Sequence, residues 1–265
     1  MVLDVNKDYL KEHQYKKSDN LEARIAIHEK FRTNPESFYG WIWNQLKPTK
    51  PLKILEVGCG TGEFWIENYS KLPVGSSVTM TDFSDGMLEK AKLKINSDNI
   101  KFEVAEIEKL PYPENSFDLV MAHHVIYHAT DKDKAISELK RVVKPDGIVT
   151  ITTNSVKHML NIYTIAYSID QNFSMVRNID GFTEEDADVM LSKHFPKIEK
   201  KIYEDLLKVT DPVMMIDYVK STTEPRKMNL KSSFYDEYSE IIKNELQNNG
   251  YFGILKRSPL FICQK

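Results

Sequence analysis

Residues 52–62 read Leu-Lys-Ile-Leu-Glu-Val-Gly-Cys-Gly-Thr-Gly, and this stretch decides the fold. The run 52–57 is short, apolar and closed by Gly58, which predicts a buried strand. Gly58, Gly60 and Gly62 then form a turn that lets a ligand approach the backbone closely. Residues 62–72 read as a helix, whose first N–H groups would face whatever sits in the turn. The same alternation continues outward. Residues 77–81 predict a second strand, and Ser84, a candidate N-cap, opens a helix carrying Met87, Leu88 and Ala91. Residues 100–105 and 117–122 predict strands three and four. Residues 131–143 predict a helix with Ala135, Ile136, Leu139, Val142 and Val143 on its apolar face. Lys144-Pro145-Asp146-Gly147 reads as a stop and turn, and 148–152 as strand five. Strands alternating with helices imply an α/β protein with a parallel sheet and right-handed crossovers.

The flanks have a different texture. In residues 1–47, Leu21, Arg24, Ile25, His28 and Phe31 recur at helical spacing. Trp41, Ile42 and Leu46 suggest a second helix, broken at 47–51 by two prolines. After Asn154 the alternation stops. Residues 155–197 are helical by pattern and 198–209 strand-like. Asp211 and Pro212 open a short helix through Tyr218, 233–248 is a longer helix, and 259–264 a last strand.

The chain has 265 residues, with 36 Lys+Arg against 39 Asp+Glu for a formal charge of −3. That balance offers no excess of positive charge to neutralise phosphates, so a nucleic-acid partner is disfavoured. With 41% hydrophobic and 28% charged residues, the composition is that of a globular protein able to bury a core without staples. The two cysteines, Cys59 and Cys263, make no disulfide framework and suit a reducing compartment. Residues 1–8 lack an apolar signal-peptide core, and no run approaches the roughly 18 apolar residues of a membrane span. The expected setting is the cytoplasm.

The chemistry lies in two features together. The glycine turn follows strand one, and Asp82 closes strand two, where a carboxylate accepts both hydroxyls of a ribose. They predict a nucleoside-containing cofactor across the C-terminal edge of the sheet. The turn departs from the Gly-x-Gly-x-x-Gly dinucleotide spacing, because its third glycine comes one residue early. Glu56 stands just before it, and a carboxylate there repels pyrophosphate but suits a cationic ligand.

This combination resembles motif I of class I S-adenosylmethionine-dependent methyltransferases, in their small-molecule ("type 11") branch. Four further landmarks follow in order over 52–153. They are Asp82-Phe83-Ser84-Asp85-Gly86-Met87-Leu88, Glu106-Ile107-Glu108-Lys109-Leu110-Pro111-Tyr112, Asn115-Ser116-Phe117-Asp118-Leu119-Val120, and Leu139-Lys140-Arg141-Val142-Val143-Lys144-Pro145-Asp146-Gly147. The resemblance implies a Rossmann-like, doubly wound seven-stranded sheet of order 3-2-1-4-5-7-6 with the last strand antiparallel. It implies one methyltransferase domain over 1–265. Within it, 1–47 is a helical cap, 52–153 the cofactor core, 154–197 a helical lid, and 198–265 the remaining sheet and helices. It also implies roles. Gly58, Cys59, Gly60 and Gly62 line the cofactor, Glu56 orients its amino group, and Asp82 holds its ribose. Phe83 packs on the adenine, Met87 also binds the cofactor, Glu106 accepts the adenine amino group, and the Ile107 N–H donates to the ring. Glu106 stands where relatives usually carry Asp. Tyr15, Arg24 and His28 are expected to reach the cofactor from the N-terminal cap.

His123, His124 and His128 follow strand four, at the edge where the transferable methyl belongs. His123 also borders the cofactor in the family. An imidazole there is a candidate general base or substrate contact; packing or loop hydrogen bonding is the alternative. Their spacing is loose for a metal site, and none is expected. The acceptor expected is a small molecule, methylated at oxygen, nitrogen or carbon. RNA or protein methylation, a nicotinamide-dependent dehydrogenase and a non-catalytic S-adenosylmethionine-binding protein are the alternatives. Oligomeric state is not readable.

Overall fold

The computed structural model describes residues 19–175, 177, 179, 181–223 and 227–265, with side chains from residue 25 onward. The run 52–57 becomes β1 (Lys53–Val57). Its neighbours Ile54 and Leu55 point to opposite faces, yet both are fully buried. A strand apolar on both faces belongs in the middle of a covered sheet, and that is where β1 lies. The other strands are β2 (Ser77–Asp82), β3 (Ile100–Val104), β4 (Phe117–His123), β5 (Val143–Thr152), β6 (Lys197–Val209) and β7 (Phe252–Gln264). They form one sheet in the order β3-β2-β1-β4-β5-β7-β6. β1 to β5 pair in parallel, and β7 runs antiparallel to both neighbours. The expected topology holds.

The helices are α1 (Asp19–Phe31), α2 (Phe38–Leu46), α3 (Glu63–Asn68), α4 (Asp85–Lys94), α5 (Lys132–Val142), α6 (Leu160–Ile169), α7 (Glu184–Ser192), α8 (Pro212–Thr223) and α9 (Phe234–Asn249). α2, α3 and α4 cover one face of the sheet through Trp43, Trp65 and Ala91, which meet Ile54, Met80 and Met121. α5 and α7 cover the other through Leu139 and Leu191, against Leu55, Val120 and Phe261. The outer halves of β6 and β7 project as a two-stranded ribbon. Leu207 and Ile254 carry a third cluster with Ile27 of α1, Ile162 of α6, Met215 of α8 and Tyr238 of α9.

Several boundaries differ from the sequence reading. α3 is six residues long and passes into a 3-10 turn, Tyr69–Lys71, instead of one helix over 62–72. Residues 155–197 contain two short helices joined by a loop, not a continuous helical lid. The loop ends at Thr183, which forms a capping box with Asp186. α8 runs five residues past Tyr218. β7 begins at Phe252 rather than at Pro259. Pairing with β5 starts only at Leu260, so Pro259 sits where β7 has a single neighbouring strand and a missing N–H is tolerated. Lys144-Pro145-Asp146-Gly147 is a bulge inside β5, between the rungs Phe117↔Val143 and Leu119↔Ile148.

The chain leaves β1 for β2 and β3 on one side and returns to β4 on the other. In such sheets a crevice opens beyond the carboxyl ends of the strands at this switch.

Candidate functional site

A cavity of about 290 Å³ occupies that crevice, close to the lower end of the roughly 300–1,000 Å³ typical of ligand pockets. Its floor is the glycine turn. The N–H groups of Gly58 and Cys59 both donate to the carbonyl of Thr81, at 2.8 and 2.9 Å. Gly58 has φ 74° and Gly60 φ 56°, the left-handed region that a side chain disfavours. A Cβ on Gly58 would meet Val125 Cγ2 at 2.4 Å, whereas one on Gly60 would meet nothing within 4 Å. Gly58 therefore keeps the β4 loop close, and Gly60 presents bare backbone to the cavity.

Asp82 clamps the turn to the end of β2. Its Oδ2 accepts the Gly60 N–H at 3.0 Å and its Oδ1 the Ser84 N–H at 2.9 Å. Burial pushes this carboxyl above its usual range, while the N–H groups of Ser84, Gly60 and Phe83 pull it back. Ser84 occupies the N-cap position of α4 but makes no side-chain cap; its main chain serves Asp82 instead.

Glu56 is 4% exposed. Burial pushes its carboxyl up to about 8; the indole N–H of Trp65 works the other way and Asp82 adds to the rise. The indole falls outside hydrogen-bond geometry, since Glu56 Oε2 and Trp65 Nε1 are both buried without a partner. An unpaired buried acceptor of this kind costs free energy that a cationic ligand removes. Glu63, Glu106 and Glu108 also line the cavity. With Glu56 and Asp82 they give it an acidic wall, the wrong environment for a pyrophosphate and the right one for a positively charged cofactor.

The opposite end belongs to β4 and the residues after it. His123 Nε2 lies 3.0 Å from Thr150 Oγ1, and its ring is 5.4 Å from that of Phe64. His124 has φ 54°, an uncommon conformation for a non-glycine residue that tends to mark functional sites. Its N–H donates to Thr152 at 3.1 Å. Burial holds the His123 imidazole down at about 3 and, with Lys256 and His128 nearby, the His124 imidazole at about 4. Both are neutral at pH 7. His128 also lines the cavity, its ring 4.5 Å from that of Tyr127.

Thus Glu56, Gly58, Cys59, Gly60, Asp82, Phe83, Met87, Glu106, Ile107 and the three histidines all reach one cavity. Gly62 does not: its missing side chain makes room for Ile95, Met80 and Ala91, so it serves helix–sheet packing. His28 is also absent from the wall, because α1 turns it toward Tyr218, 6.4 Å away ring to ring. Tyr15 and the side chain of Arg24 lie outside the described residues. From 1–47, Ile25 and Tyr39 line the cavity, whereas no described residue of 154–197 does. Tyr39, edge-on to Phe64 at 5.9 Å, is a wall residue that sequence reasoning left unassigned. Only its place among several aromatic residues before β1 marked it. Cys59 is buried, and burial together with Glu56 and Asp82 pushes its thiol well up, so it is no nucleophile. Among the described residues, no three His, Cys, Asp or Glu side chains converge as metal ligands.

A family model described as "Methyltransferase domain" matches residues 55–151, which span β1, the glycine turn and Asp82 through β5. Residues 55–151 thus match a methyltransferase domain, and the fold is that of known methyltransferase structures. The domain is 35% identical over 143 residues to an uncharacterised methyltransferase of Schizosaccharomyces pombe, covering 50% of this chain and 49% of that protein. It is 34% identical over 127 residues to a demethylmenaquinone methyltransferase of Staphylococcus aureus, covering 48% and 52%. The fold matches that of Haemonchus contortus phosphoethanolamine N-methyltransferase 2, solved in complex with S-adenosyl-L-methionine. There the TM-score is 0.59 at 21% identity, over 97% of this chain and 59% of that one. The chain spans about half the length of the curated relatives it matches.

Proposed function

We propose that the protein transfers the methyl group of S-adenosylmethionine to a small-molecule acceptor. The observation that carries this is the acidic wall at the β1–β4 switch, above all the buried, unpartnered Oε2 of Glu56. In this reading Glu56 binds the cofactor's ammonium, and Asp82 the two ribose hydroxyls. Bare backbone at Gly58 and Gly60 lets the amino-acid end lie against the turn. Phe83 and Met87 pack on the adenine, Glu106 accepts its amino group, and the Ile107 N–H donates to its ring.

The cofactor supplies an electrophilic methyl on a sulfonium, so the protein has to align the acceptor and exclude water. Tyr39 and Phe64 close the cavity on the α2 side. His123 is tied to Thr150 and acts as wall. His124 and His128 face the incoming acceptor, and the neutral His124, with Nδ1 unpartnered, is the side chain placed to take a proton from an O–H or N–H nucleophile. The N-terminal helices act as a cap. No described helix is long and apolar enough to cross a membrane, and two free buried cysteines support a reducing, cytoplasmic setting.

The test is incubation with methyl-labelled S-adenosylmethionine and cell extract fractionated into small molecules, RNA and protein. Label in the small-molecule fraction, lost with Asp82→Ala, is the expected result. Label confined to RNA or protein would overturn the acceptor class.

A further inference from the structure

Behind His124 lies a set of polar side chains that the cofactor reading leaves unused. β6 and β7 assemble it: Asp205 stands opposite Lys256 and Tyr203 opposite Ser258, so all four share the inner face of the ribbon. The hydrophobic pattern is inverted there, with Leu255 44% exposed and Lys256 only 8% exposed. A lysine buried at the expense of a leucine breaks the local rule in the way functional sites do. Its ammonium lies over the Tyr203 ring, 5.6 Å from the centroid, and forms no ion pair among the described residues. Asp205 anchors the exit of α1 through Oδ1, which accepts the N–H groups of Thr33 and Asn34, each at 2.9 Å, while its Oδ2 is buried without a partner and its charge acts on Lys256. Arg257 is engaged by Glu184.

Three half-buried imidazoles, His28, His124 and His158, feel the charge of this ammonium. His124 packs on Phe38 at 5.3 Å, and Phe38 on Tyr203 at 5.3 Å, so His124 and Lys256 share one aromatic wall. His158 is held through Nδ1 by the Arg257 main chain at 3.2 Å. His28 comes from α1. The Nδ1 atoms of His28 and His124 are buried without partners. Besides burial, the charge of Lys256 disfavours protonation of all three rings, as expected of groups gathered around one cation.

We propose that Lys256, with His28, His124 and His158, forms a subsite for an anionic group, carboxylate or phosphate, on the methyl acceptor. An anion there would pair the Lys256 ammonium and accept N–H hydrogen bonds from His28 and His158, leaving the Nδ1 of His124 to take the proton. The carboxylates at the cofactor end repel the same group, so the acceptor has one orientation: anion toward β7, nucleophile toward the cofactor. This rests on the methyltransferase reading.

The experiment uses the full chain saturated with S-adenosylhomocysteine. Inorganic phosphate and, separately, acetate are titrated while the histidine ring signals are followed by NMR. Saturable shifts at His124 and His158 are expected with at least one of the two anions, and the preferred anion names the source. Lys256→Met, close in length and uncharged, should weaken that binding at least about tenfold and leave S-adenosylhomocysteine affinity within about twofold. His158→Gln serves as the second variant if Lys256→Met fails to fold. No response to either anion, or unchanged anion affinity in a variant that still binds S-adenosylhomocysteine, overturns the subsite. Failure of the wild-type chain to bind S-adenosylhomocysteine would instead overturn the reading beneath it.

Discussion

Glu56→Gln should make the ligand-free protein more stable and a poorer cofactor binder, two effects of opposite sign from one residue. The carboxyl has an ordinary value of 4.5 and sits at about 8 in the fold. The unfolded chain thus releases its proton at pH 7, and the folded one largely keeps it. For a raised acid the penalty on folding is absent below the unfolded value and grows as pH rises toward the folded one. At pH 7 it amounts to about 3 kcal/mol. Glutamine keeps the shape and removes that penalty. At about 2–4 °C per kcal/mol for a chain of this size, Tm should rise by about 6–12 °C. The same change leaves the cofactor's ammonium without its carboxylate, a loss of about 2 kcal/mol or more, or roughly thirtyfold in Kd. Calorimetry reads both quantities: thermal scans at pH 7 without ligand, and titration with S-adenosylmethionine. A variant with lower Tm, or one that binds the cofactor as tightly as wild type, would refute the reasoning.

Three further outcomes are expected. Gly58→Ala and Gly60→Ala should separate folding from binding. The first drives a Cβ to 2.4 Å from Val125 and should cost about 2–4 kcal/mol from strain and overpacking, read by denaturant titration. The second should cost only about 1 kcal/mol yet weaken S-adenosylmethionine binding, because its new methyl enters open cavity. His123 and His124, held at about 3 and about 4, make the fold acid-sensitive. Below pH 6.5 the unfolded chain takes up protons that the folded rings refuse, so stability falls with pH. Each ring loses about 2 kcal/mol between pH 7.5 and 5. The change is best measured by denaturation in the Glu56→Gln variant, where the opposing titration of Glu56 is gone; a flat profile would contradict it. Burial pushes both thiols up, that of Cys263 to about 12. A thiol reagent at pH 8 should therefore find no fast-reacting cysteine until denaturant is added; rapid labelling of either would count against the buried geometry.

How much of this was legible depended on where the residue pattern and the local structure agree. The core strands were readable because β1 and β4 are apolar on both faces: Ile54 and Leu55, or Leu119 and Val120, each serve a different side of the sheet. Glu56 and Asp82 were readable because a charge at the end of a buried strand has few other reasons to be there. Pattern failed in the ribbon. β6 carries charges on both faces and β7 sets Lys256 and Arg257 side by side, and nothing local distinguishes Lys256 on the inside from Leu255 on the outside. Only the pairing of Asp205 with Lys256 and the arrival of α1 at Thr33 turn that face inward. His28 shares a helix face with Arg24, which pointed it at the cofactor. Yet α1 is oriented by Ile27 and Phe31 burying against the ribbon, and that leaves His28 beside Tyr218. Gly62 looked like a third ligand-facing glycine because spacing does not reveal which side of a turn a missing side chain opens. Here the neighbours are Ile95 and Met80.

The central claim is that the acidic crevice at the β1–β4 switch holds S-adenosylmethionine. Its most direct test is calorimetric titration of the purified chain with S-adenosylmethionine, S-adenosylhomocysteine and NADH, beside the Asp82→Ala variant. Saturable binding of the two adenosyl ligands, much weakened in the variant and absent for NADH, is the predicted result. Binding of NADH with no binding of either adenosyl ligand would contradict it and make the glycine turn a dinucleotide site.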